Sequence, residues 1–249
     1  MGRRERVHYN LDLVGAESAL RPLNSGPCYL AADRLLDAHF KDFRWALAPE
    51  NVAEGVVLLD SLWGTRLYAQ KGVAEQIALT LAANSARAVH LLASLGPADL
   101  QERPERVYVV AEEILPFILK PGGGSGREVS QNHSFASKFL HWCTRCHFPI
   151  VDRNARKTIN AWQRELGVED RVLSDNAAVK GRYIWEYERW IRFYSDLITS
   201  LGPAERERLK RADRESQSPD HRVENSLLRI LDKVFYYQGG GRGMGRASD

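Results

Sequence analysis

Cysteine and methionine are scarce in this chain, three and two of its 249 residues. No stretch approaches the ~18 consecutive apolar residues that a bilayer span requires. Three thiols, Cys28, Cys143 and Cys146, cannot form the disulfide framework on which small secreted folds depend. The opening MGRRERVHYNLDLVG lacks the apolar core of a signal peptide. A cytoplasmic protein with reduced thiols and no membrane partner is therefore expected. β-strand signals are few as well: period-2 runs are rare, Asn-Gly hairpin turns are missing, and β-branched residues stand mostly alone.

Helical periodicity fills the space that strands leave. Val52, Val56, Leu59 and Trp63 step by four, three and four; Val73, Ile77 and Leu81 by four; Val107, Val110, Ile114 and Phe117 by three, four and three. Ala155, Ile159, Trp162 and Leu166 repeat the pattern, and Tyr183, Tyr187, Trp190, Tyr194 and Leu197 extend it along a longer helix to about Ser200. NSLLRILDKVFYYQGG reads as a last helix with Gly239 as a left-handed cap. Breaks fall at Leu95–Pro97, in KPGGGSG from Lys120 to Gly126, at Gly167 and at Ser200–Pro203. The expected fold is all-α, a helical bundle of one or two lobes over residues 1–238, followed by a flexible Gly-rich tail at 239–249.

The net charge of +3 is small, but its distribution is uneven. Between Lys120 and Arg164 stand eight Lys or Arg against two acids, Glu128 and Asp152. A local surplus of this kind beside a Gly-rich loop suits a polyanion such as DNA. A solvated basic face with no partner is the plainer alternative.

The densest chemistry lies in SFASKFLHWCTRCHFPIVD, Ser134 to Asp152. Cys143, Cys146 and His147 form a CxxCH, but a haem attachment would require export. A zinc site would need further ligands, and Cys28, His133 and His141 lack ligand spacing. No cofactor or metal is expected. Ser134 reads as a helix N-cap, and Phe135, Phe139, Leu140, Trp142 and Cys143 surround Lys138 with apolar neighbours. Desolvation disfavours an ammonium, and a lysine neutral near pH 7 is a nucleophile or Schiff-base former; a lysine snorkelling from a half-exposed face is the competing reading. Asp152 follows Pro149 at the position where a side-chain acceptor caps the next helix. In a cleft, such a carboxylate also steadies developing positive charge or orients water.

A lysine on a short helix, a Phe-Pro-Ile turn and an aspartate opening the next helix resemble the helix-hairpin-helix DNA glycosylases, in particular the small bacterial 8-oxoguanine-glycosylase-like branch. SFASK is similar to the hairpin's glycine-x-glycine-x-lysine, with Ser134 and Ala136 standing where the family has glycine. The resemblance implies Lys138 as nucleophile and Asp152 as its assisting carboxylate. LDSLWGTRLYAQKGVAEQIA resembles the segment that fills the gap left by an extruded base, with Gly64, Thr65 and Arg66 at the inserting positions. LLRILDKVFYY is similar to the family's C-terminal helix. The resemblance covers about residues 50–165 and 222–238.

What it implies is a monomeric enzyme that acts on double-stranded DNA. Such an enzyme rotates a modified or damaged base out of the duplex and cuts its glycosidic bond, in repair of an oxidised purine or in defence against a phage with hypermodified bases. Thr65 and Arg66 would fill the gap. Arg127, Arg153, Arg156 and Lys157 would hold phosphates, with His133 and Ser134 in place of the hairpin's backbone donors. Trp63, Trp142 and Phe148 are among the aromatics that would stack on the base, as is the Trp185, Tyr187 and Trp190 group, although helical spacing favours core packing for each. Two other classes compete: a helical DNA-binding module without catalysis, and a metal or redox protein using the CxxCH.

Overall fold

The computed structural model describes residues 6–43, 47–65, 67, 72–119, 132–169, 171–172 and 183–241. Among them there is no β-strand, and twelve α-helices carry the fold: α1 (Leu13–Asn24), α2 (Pro27–Phe43), α3 (Pro49–Trp63), α4 (Val73–Ala83), α5 (Ser85–Ala93), α6 (Asp99–Glu102), α7 (Pro104–Leu119), α8 (Asn132–Cys143), α9 (Arg153–Glu165), α10 (Tyr183–Ser200), α11 (Pro203–Glu215) and α12 (Leu227–Gln238). The all-α expectation holds. One continuous cluster of buried apolar side chains runs from Tyr9 to Phe235.

Local sequence explains many of the helix ends. Asp12 caps α1 by accepting from the Val14 amide, Asp152 caps α9, and Ser226 caps α12 by accepting from the Arg229 amide at 3.1 Å. Gly64 closes α3 at φ 58°, a conformation that suits glycine. At the end of α12 the left-handed residue is Gly240, φ 89°, rather than Gly239. Gly239 answers to a different constraint, since a Cβ there would lie 1.9 Å from the Asn154 carbonyl oxygen. The helix end is pressed against α9, and only a residue without a side chain fits.

The helices pack in two groups that share the core. α12 lies against α9, α1 and α11, while α3 meets α2, α4 and α8, and α7 meets α4, α8 and α10. The stripe on α9 differs from the sequence pattern in one place: Leu166 is exposed and Gln163 is buried instead. Gln163 donates to the Tyr9 hydroxyl at 2.9 Å and accepts from the Val172 amide at 2.7 Å, so its amide is satisfied within the core.

The interior of α12 is unusual. Arg229, Asp232 and Lys233 are all 4% exposed or less, on a helix whose neighbouring positions are apolar. Asp33 of α2, itself fully buried, pairs with Arg229 at 2.8 Å and with Lys233 at 3.6 Å. Lys233 also meets Asp213 at 3.3 Å and donates to Asn24 at 3.0 Å. Arg229 closes the set with Asp232 at 2.6 Å. Burying ions costs several kcal/mol each, and removing one partner strands the others at about 3–5 kcal/mol. An Asp33→Asn variant should lose about that much stability, read as a lower urea midpoint at unchanged slope; a loss under about 1 kcal/mol would show that the network does not hold α12 in place.

Candidate functional site

A cavity of about 240 Å³ opens where the two helix groups meet. Lys138 of α8 and Asp152 at the head of α9, fourteen positions apart in the chain, both line it, together with Trp63, Tyr29, Tyr236, Arg229 and Asp232. Four helices, α2, α3, α8 and α12, and the cap of α9 are thus aimed at one space.

Lys138 is 7% exposed. Its Nζ donates to the Trp63 carbonyl at 3.3 Å and sits 5.4 Å from the centre of the Trp63 ring, and no carboxylate pairs with it directly among the described residues. Burial lowers its pKa; Asp152 and Asp232 act through space in the opposite direction, and the Arg229 guanidinium adds to the lowering. The lysine does not snorkel, and burial makes its ammonium easier to deprotonate than that of an exposed lysine.

Asp152 is half-buried, and one oxygen of its carboxylate accepts from the Asn154 amide at 2.7 Å and from the Ala155 amide at 3.4 Å. The other oxygen is left without a hydrogen bond among the described residues. The cap therefore fixes the carboxylate without consuming it.

Asp232 was not among the residues marked by sequence, and it changes what the cavity can do. Burial pushes its carboxyl up to about 7; Arg229 and Lys138 oppose that rise, Asp152 and Asp33 add to it. Its Oδ1 and the Arg229 Nε are both buried without a partner among the described residues. For Arg229, burial alone would lower the pKa, but Asp33, Tyr29 and Asp232 outweigh it and the guanidinium stays charged. It stacks 4.5 Å from the Trp63 ring centre and 5.5 Å from that of Tyr29. The cavity so combines an amine, a carboxylate, a carboxyl that titrates near neutrality and aromatic walls.

The remaining sequence candidates separate. Of Trp63, Trp142 and Phe148, Trp63 lines this cavity; Trp142 lines a different hollow, and Phe148 is fully buried against Tyr187. Thr65 is turned inward at 6% exposure, donating to Asp60 at 2.6 Å, with the Leu67 amide on the same oxygen at 2.7 Å. Its hydroxyl pins the turn after α3 and is not presented for insertion. Ser134 is no N-cap: α8 begins at Asn132, and the Ser134 carbonyl accepts from the Ser137 hydroxyl at 3.2 Å within the helix. The His133 carbonyl accepts from the Tyr187 hydroxyl at 3.0 Å, with the two rings stacked. Arg153 and Lys157 are exposed at the start of α9, and Arg156 is half-buried beside them. Arg66 and Arg127 lie outside the described residues.

The CxxCH has a structural account. Cys143 is buried, and burial pushes both the Cys143 and Cys146 thiols up, away from the thiolate that binds metal or reacts. His141, lowered to about 3 by burial, donates from Nδ1 to the Phe148 carbonyl at 2.7 Å and braces the turn. Among the described residues no group of three or more His, Cys, Asp or Glu is placed to hold a metal ion. Compared with protein-family models, with curated proteins and with solved structures, the chain finds no match.

The raised Asp232 pKa has a consequence for stability. The folded chain keeps a proton that the unfolded chain begins to release near 3.8, so this group's contribution falls as pH rises from about 4 to about 7. Asn at this position does not titrate. Relative to wild type, Asp232→Asn should gain stability between about pH 5 and about pH 8, measured by urea denaturation; a pH-independent difference would contradict a raised carboxyl pKa.

Proposed function

We propose that the chain is a DNA glycosylase that takes an extruded modified or damaged base into the 240 Å³ cavity and severs its glycosidic bond. The observation that carries this reading is a buried lysine of lowered pKa sharing one cavity with a cap-fixed aspartate and a second carboxyl near neutrality. A structural lysine would be paired, as Lys233 is. Lys138 has instead only a carbonyl and a ring.

The chemistry follows from the groups present. The neutral Lys138 amine attacks C1′ of the sugar, the C1′–N bond breaks, and its electron pair leaves with the base. Asp232 in its acid form is the group suited to protonate the departing base, and the free oxygen of Asp152 faces the positive charge developing on the sugar. The C1′ adduct loses a proton and opens to a Schiff base. Water then hydrolyses it to an abasic site and regenerates the amine, or β-elimination cuts the strand first. Tyr29, Trp63 and Tyr236 supply flat walls for a base.

The start of α9 supports a polyanion as substrate. Arg153, Arg156 and Lys157 crowd a helix N-terminus that carries no acid in its first turn, where the helix dipole already favours negative charge. A cationic cluster there lacks its counterion within the helix, and a phosphate backbone running past Asp152 would provide one. These contacts are what must offset the few kcal/mol of unstacking a flipped base.

Borohydride reduction in the presence of DNA with abasic sites should give a covalent adduct that Lys138→Gln abolishes. On genomic DNAs with natural modified bases, abasic sites should appear, and Asp152→Asn should slow their formation by about 10²-fold or more. Abasic sites without an adduct would assign the attack to water; neither product on any DNA would leave a non-catalytic DNA-binding module. A double Arg153→Ala, Lys157→Ala variant should also bind duplex DNA with a salt slope smaller by about 1.8, at ~0.9 per phosphate contact, and an unchanged slope would remove α9 from the DNA surface.

A further inference from the structure

A second and larger hollow, about 960 Å³, lies on the other side of Trp142 from the candidate site. α2, α6, α10, α11 and the connection into α12 enclose it, along with the turn after α8. It shares no lining residue with the smaller cavity. Nothing in the proposed glycosylase chemistry uses it.

Four cations reach it from four different places: Lys41 at the end of α2, Arg145 in the turn after α8, Arg214 on α11 and Arg222 ahead of α12. All four are exposed, and none makes an ion pair among the described residues. Two further cations are already engaged, Arg206 with the Leu201 and Ile198 carbonyls and Gln101, and Lys210 with Glu207. The acids on the lining are Asp37, Glu224 and Asp213, and Asp213 is committed to Lys233. The unpaired charge around the hollow is therefore positive.

Neutral donors add to it. The head of α12 borders the hollow at Ser226, Leu227 and Leu228. The Ser226 hydroxyl takes the Arg229 amide, and the Leu227 and Leu228 amides have no acceptor among the described residues. Trp142, 3% exposed, lines the floor, and its indole N–H is buried without an acceptor among the described residues. Arg145 and Cys146 are the two described non-glycine residues with positive φ, 53° and 60°. The Cys146 amide, bonded to the His141 carbonyl at 2.7 Å, and its carbonyl, bonded by Ser226 at 3.1 Å, hold that turn and so place Arg145 at the rim.

We propose that this hollow binds a small phosphorylated ligand of nucleotide size. Phosphate oxygens would lie among Lys41, Arg145, Arg214, Arg222 and the α12 amides, and the uncharged body over the apolar floor of Leu100, Pro97, Val223 and Leu228. A duplex about 20 Å across is too wide to enter a hollow of this size, whereas a nucleoside triphosphate fits within it.

Titration calorimetry with ATP and with tripolyphosphate, on the full chain, tests the assignment. Both probes should bind wild type and Lys138→Gln alike, and Arg214→Ala and Arg222→Ala should each weaken binding about tenfold, roughly one charge-assisted contact. Circular dichroism on each variant confirms that it is folded, and an Arg153→Ala control on α9 should bind as wild type. Failure of both probes at millimolar concentration, affinity unchanged in the Arg214 and Arg222 variants, or equal loss in the Arg153 control would each overturn the proposal. Displacement of bound ATP by duplex DNA at equal phosphate concentration would also overturn it, by making the hollow part of a nucleic-acid surface. The smaller cavity plays no part in this readout, so its outcome is separate from the glycosylase test.

Discussion

Everything near the candidate site depends on how three buried charges on one helix are neutralised. Arg229, Asp232 and Lys233 cannot face water, because α12 is apolar at the positions between them and is covered by α1, α9 and α11. Asp33, 196 positions away from Arg229, is what makes their burial tolerable. Once Asp33 holds both cations, Asp232 has only Arg229, and even that contact leaves Oδ1 without a partner among the described residues. A carboxyl in that position keeps its proton to near neutrality. The ion network is thus the clasp between α2 and α12, and the burial it makes tolerable is the main source of the cavity's acid-base character.

The cavity then sets its two kinds of group against each other. Desolvation lowers the amine of Lys138 and raises the carboxyl of Asp232, so near neutral pH each is nearer to exchanging a proton than it would be in water. Paired groups with pKa values displaced towards one another are suited to a reaction that needs a neutral nucleophile and a proton for its leaving group. Asp152 adds fixed orientation, because two backbone amides hold one of its oxygens and leave the other free. None of these three residues is on a loose loop: two lie within helices and the third caps one.

How much of this was legible in the sequence follows from the range of each interaction. The cap at Asp152 is a contact two and three residues long, so local pattern was enough to place it, and the apolar company of Lys138 foretold its burial. Ser134 misled because Asn132 opens the helix two residues earlier, and the N-cap preference does not distinguish the first polar residue from the third. Thr65 misled because Asp60, five residues back, claims its hydroxyl. Arg229, Asp232 and Lys233 left a readable trace, charges of both signs set among apolar residues on every side of one helix, which implies interior ion pairing. Their partner Asp33 left none, since a contact spanning almost the whole chain has no local signature.

The central claim is that Lys138 is an amine poised to react, and the direct measurement is its own titration. Lysine labelled with ¹³C at Cε, followed by NMR across pH and assigned with Lys138→Gln, reports the protonation of each amine. One resonance, missing from the variant, should titrate below the ~10.4 of ordinary lysines. If the Lys138 resonance titrates with the surface lysines, the cavity holds an ordinary ammonium and the nucleophile must be sought elsewhere.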